Sequence, residues 1–73
     1  MEEPDDILTR FGLVLRARRL ALGISQEELA HRCGLDRTYI SSMERGQRNV
    51  GIRNLARLAR ALDVTLPQLL SGL

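Results

Sequence analysis

Six arginines stand between residues 37 and 60 against a single acid, Glu44. They are Arg37, Arg45, Arg48, Arg53, Arg57 and Arg60, and the stretch carries a net charge of +5. A guanidinium fork matches two phosphate oxygens or the O6 and N7 edge of guanine, so this concentration points to nucleic acid more than to a membrane surface. A solvated arginine face without a ligand is the alternative that composition alone leaves open. The groups needed for catalysis are scarce. Cys33 and His31 are the one cysteine and the one histidine, too few for a zinc site or an internal disulfide. On a helix His31 would face outward and Cys33 inward, so a nucleophile and a base would not meet. Cys33 reads as small core filler. With scattered carboxylates and no glycine-rich phosphate loop, the expectation is no catalytic residue, no metal, no cofactor and no small-molecule ligand.

Four of the nine acids, Glu2, Glu3, Asp5 and Asp6, fall in the first six residues, which leaves residues 7–73 with eleven arginines against five acids, or +6. A chain of 73 residues has room for one compact domain. At this size the core contributes roughly 3 to 5 kcal/mol net, so tight helix packing and self-association are the expected reinforcements. An apolar fraction of 44% with 27% charged residues is that of a soluble globular chain. No run approaches the ~18 apolar residues of a spanning helix, and the acidic start is opposite to a signal or transit peptide. A cytoplasmic protein with no membrane partner is expected.

The elements that must position these arginines follow from periodicity and caps. Residues 1–6 read as a flexible acidic N-terminal arm, and residues 7–73 as a single domain. Leu8, Phe11, Leu15 and Leu22 keep helical steps from Ile7 until Gly23 ends the segment. Ser25-Gln26-Glu27-Glu28 has the form of a capping box for a helix from Gln26, with Leu29, Ala30 and Cys33 inward and Gly34 closing it. Asp36 caps a segment from Arg37 to Glu44 or Arg45, with Ile40 and Met43 inward and Gly46 as its stop. After a polar loop, Ile52, Leu55, Leu58, Ala59 and Leu62 form an amphipathic stripe that ends near Asp63. Thr65-Leu66-Pro67-Gln68 starts a short last helix to about Leu70. No strand pattern appears, and the fold class is all-α with five helices.

Counted from Gln26, Ala30 is the fifth position, Gly34 the ninth and Ile40 the fifteenth. Two helices joined by a short turn need a small residue at their crossing, a glycine in the turn and a branched apolar residue locking the second helix. This spacing marks residues 26–45 as a helix-turn-helix unit. The chain resembles the Cro and phage-repressor type of helix-turn-helix, the XRE family, in Leu22 to Ala30, Gly34-Leu35, Ile40, Glu44 to Gly46 and Leu55 to Leu62. A narrower likeness is to the controller proteins of restriction-modification systems, through Asp36 to Ser41, Glu44-Arg45 and Arg48-Asn49-Val50.

The resemblance implies a lambda-repressor-like domain whose third helix enters the DNA major groove. Base readout then falls to Arg37, Thr38, Ser41 and Ser42, and backbone or groove contacts to Gln26, Tyr39, Arg45, Arg48, Asn49 and Arg53. It also implies a structural pair between Arg19 and Glu44. Leu66, Leu69, Leu70 and Leu73 exceed what a fifth helix needs to cap a monomer, so residues 64–73 are expected to form a two-fold homodimer interface. The function implied is a dimeric regulator of palindromic operators on double-stranded DNA, upstream of its own gene and an endonuclease gene. It would activate at low and repress at high occupancy, with RNA polymerase as a candidate partner. An XRE-type antitoxin, a phage-type repressor and a protein-interaction module without DNA binding are the alternatives.

Overall fold

The computed structural model describes residues 6–73, which form α1 (Ile7–Ala21), α2 (Gln26–Cys33), α3 (Arg37–Glu44), α4 (Ile52–Ala61) and α5 (Leu66–Leu70). The expected N-terminal arm lies, apart from Asp6, outside the described residues. No strand occurs among the described residues. Nor, among the described residues, is any helix long and apolar enough to cross a membrane.

Local chemistry sets the helix ends. Asp6 accepts the Thr9 N–H at 3.0 Å and starts α1. Ser25 accepts the Glu28 N–H at 3.0 Å, but the reciprocal half of the expected capping box is absent: the Glu28 carboxylate turns along the helix to Arg32 instead, 3.0 Å from its Nε. An ion pair one turn away has displaced a neutral backbone contact at an exposed site. At α5 both halves form, with Thr65 accepting from the Gln68 N–H at 3.1 Å and Gln68 Oε1 accepting from the Thr65 N–H at 2.8 Å. The turn between α2 and α3 uses Gly34 at φ 71°, a left-handed conformation open to glycine, and the Leu35 N–H closes on the Ala30 carbonyl at 3.0 Å.

Each helix sends side chains to one core, whose fully buried members include Leu15, Leu29, Ile40, Met43, Leu58 and Leu69. Two expected core positions lie outside it. Leu22 is 45% exposed at the C-cap of α1, where the chain reverses through Gly23 at φ 71° and Ile24 packs against the core instead. Ile52 is 69% exposed at the first position of α4, where no other helix covers it. Helices α1 and α3 meet at Gly12. A Cβ built there would lie 2.6 Å from the carbonyl oxygens of both Met43 and Glu44, so only glycine permits this approach.

Candidate nucleic-acid interface

Helix α3 buries Ile40 and Met43, which turns Arg37, Thr38, Ser41, Ser42 and Arg45 toward the opposite, solvent side. These are the four expected base readers with one expected backbone contact, brought to one face. At the first turn Asp36 accepts the Thr38 N–H at 2.9 Å and also holds the Thr38 hydroxyl. Those two bonds, the hydroxyl first, hold the Asp36 carboxyl below the usual carboxylate range. Its carboxylate is thus engaged with Thr38, and Arg37 has no ion-pair or hydrogen-bond partner among the described residues. One turn on, Ser41 Oγ accepts from Arg45 Nη1, while Arg45 Nε donates to Gln47 Oε1 at 3.2 Å. The Ser42 hydroxyl donates to the Tyr39 carbonyl at 2.9 Å.

The rear edge of α3 is anchored by a nearly buried ionic knot. Arg19 donates from Nε to Glu44 Oε2 at 2.6 Å and from Nη2 to Glu44 Oε1 at 3.0 Å, with a third bond from Nη1 to the Ile24 carbonyl at 2.9 Å. The two side chains are 9% and 4% exposed. The hydrogen bonds Arg19 donates to Glu44 raise the arginine's pKa above its ordinary value against the opposing effect of burial. The expected partnership of Arg19 and Glu44 is therefore present. Gln26 joins it, donating from Nε2 to Glu44 Oε1 at 3.0 Å. One carboxylate thereby ties the start of α2 to α3 and to α1.

On the other flank, the Arg48 guanidinium lies 4.6 Å from the centroid of the Tyr39 ring. The Tyr39 hydroxyl accepts from Asn54 Nδ2 at 2.8 Å, which leaves the phenolic proton available to an outside acceptor. Asn54 was not among the expected residues. Its signal in the sequence was a single uncharged polar residue, a weak helix former, set between Ile52 and Leu55 near the start of α4. Arg53 is exposed beside it, and Asn49 stands at the rim of an apolar groove lined also by Leu8, Phe11, Leu55, Leu70 and Leu73.

That groove bears on the expected dimer residues. Leu66, Leu70 and Leu73 are half-buried, with Leu70 and Leu73 in its wall. Leu69 is fully buried in the core of its own chain and leaves the set, because it is the side chain by which α5 docks. Cys33 is buried, and burial pushes its thiol up against the weaker opposing effect of Arg57. A thiol held protonated is a poor nucleophile. Among the described residues no group of three His, Cys, Asp or Glu side chains is placed to hold a metal ion.

A model of the helix-turn-helix family matches residues 15–69. The control protein C.MunI of a Mycoplasma species is 43% identical over 70 residues, which cover 94% of this chain and 95% of that protein. The control protein C.BamHI of Bacillus amyloliquefaciens is 45% identical over 67 residues, covering 90% of this chain and 83% of that protein. Among solved structures, the restriction-modification controller protein C.AhdI from Aeromonas hydrophila superposes with a TM-score of 0.83 at 52% identity, over 85% of this chain and 94% of that one.

Proposed function

The chain belongs to the helix-turn-helix family, and from that premise we propose that it acts as a controller-type regulator, each copy of a homodimer reading one half of a palindromic operator. The protein is a DNA-binding transcription regulator and not an enzyme. The observation that carries the finer reading is the first turn of α3, where the cap carboxylate is engaged by Thr38 and Arg37 stands unpaired among the described residues. A guanidinium in that position is ready to take guanine O6 and N7 together. With the Thr38 hydroxyl tied to Asp36, its methyl is the group left to meet a thymine methyl. Ser41 and Ser42 follow one turn later in the groove.

The sequence-independent contacts are assigned to Gln26 at the N-terminus of α2, to the Tyr39 hydroxyl, and to Arg45, Arg48, Asn49 and Arg53 around them. A dimer through Leu66, Leu70 and Leu73 would set two such faces about 34 Å apart, one turn of DNA. The likeness to control proteins supports an operator upstream of the chain's own gene and a neighbouring endonuclease gene, with contact to RNA polymerase when activating, in the cytoplasm. Enrichment from a randomised duplex pool, at two salt concentrations with wild type and Arg37→Ala in parallel, tests this reading. A two-fold symmetric motif that the variant loses, at a cost of about 1 to 3 kcal/mol per half-site, is the expected result. Uniform, unenriched binding would reduce the protein to a basic helical domain.

A further inference from the structure

The solvent side of α1 is apolar where a surface helix is ordinarily polar. Leu13 is 62% exposed and Leu20 53% exposed. They stand seven positions apart, close to two helical turns, so they share a face with Ala17 between. Beside this ridge runs a shallow groove between α1 and α5, with Val14, Ala17, Ala21 and Gly72 in its walls. Arginines border the strip. Arg10 and Arg16 are exposed and have no ion-pair or hydrogen-bond partner among the described residues. Arg18 is held at the groove's edge by donating from Nη2 to the Gln68 carbonyl at 3.1 Å. The helix contains no acid. This face is turned away from the side of α1 that packs through Phe11, Gly12, Leu15 and Arg19, and neither the reading face of α3 nor the groove around Leu70 includes it.

We propose that the outer face of α1 is a docking surface for an acidic amphipathic helix of another protein. Its apolar side chains would cover Leu13, Ala17 and Leu20, and its flanking carboxylates would pair with Arg10, Arg16 and Arg18. Charge complementarity selects this occupant. A second copy of the same face, related by a two-fold axis, would bring arginines against arginines with no acid in α1 to answer them. A DNA backbone would satisfy the arginines but leave both leucines in water. Anchors at i, i+4 and i+7 are the spacing by which one helix lies on another or in a groove. The surface does not depend on how α3 reads DNA.

The test uses the full chain and a fluorescent helical peptide with leucines at i, i+4 and i+7 and glutamates on both flanks. One control peptide replaces the leucines by serine, and another replaces the glutamates by lysine. Anisotropy should rise with the first peptide only. Leu13→Gln with Leu20→Gln, and separately Arg10→Gln with Arg16→Gln, should each weaken that binding by on the order of tenfold, the effect of losing anchor contacts at an interface. Both double variants should keep wild-type helicity and duplex binding, because none of the four side chains is in the core or on the α3 face. Equal binding of the serine peptide would overturn the proposal in favour of plain charge attraction. Absence of binding at millimolar peptide would overturn it outright. Loss of self-association in the leucine variant would assign the face to a second copy instead.

Discussion

Glu44 is the residue on which the most contacts converge, since its two oxygens receive Arg19 twice and Gln26 once. Removing one member of a buried ion pair leaves the other charge without a partner, at about 3 to 5 kcal/mol, comparable to the whole net stability of a domain this size. Glu44→Ala should therefore leave the chain largely unfolded at room temperature in a urea titration, whereas Glu44→Gln, which keeps an acceptor, should lose less. Asp36 gives a pH-dependent counterpart. Its carboxyl is depressed in the folded protein, so its stabilising effect is fully present above the ordinary aspartate value of about 3.9 and disappears as pH falls through the depressed one. Thr38→Val removes the hydroxyl that contributes most to this depression. The Asp36 carboxyl resonance should then titrate closer to the ordinary value in an NMR pH series, while the backbone bond retains part of the depression. Asp36 was legible in the sequence as a cap, whereas the pairing of Glu44 came only from the resemblance to the helix-turn-helix family. The shared use of Glu44 by Gln26 was not legible, because it joins residues 18 apart whose meeting depends on how α2 crosses α3.

At the level of elements, the crossing of α1 over the end of α3 decides where the exposed face of α3 sits. Gly12 lets the two backbones approach until a Cβ would overlap the carbonyls of Met43 and Glu44. Gly12→Ala gains up to about 1 kcal/mol of helix propensity but must push rigid backbone aside, and overpacking of this kind costs about 1 to 3 kcal/mol. The clash wins in that balance. A lowered thermal midpoint is expected, together with weaker operator binding as α3 shifts, and an unchanged midpoint would show that the crossing is loose. Periodicity located all five helices, since helical steps and caps act within four residues along the chain. It misjudged Leu22 and Ile52 because a repeating apolar step says which way a side chain points and not whether another helix is there to cover it.

For the whole molecule, the proposed reading joins the arginine excess to the leucine-rich end. If Leu70 and Leu73 close a two-fold interface over the groove that also holds Phe11, Leu8 and Leu55, Leu70→Gln with Leu73→Gln should sediment as a monomer at concentrations where the wild type is dimeric. Its operator affinity should fall by at least about tenfold, since the second half-site is no longer linked, and its thermal unfolding should show that the core survives. Leu69 cannot serve this purpose, being buried in its own chain. What local physics controls could be read along the chain: five helices, caps at Ser25, Asp36 and Thr65, the spacing of a helix-turn-helix from Gln26 to Arg45, and a set of arginines on and after the third helix. The packing of the helices settles which apolar residues are covered, that Asn54 holds Tyr39, that Glu28 turns to Arg32, and that one carboxylate joins three helices. Caps and helical steps are made by neighbours in the chain. Burial and side-chain pairing are made by residues that become neighbours only once the helices cross.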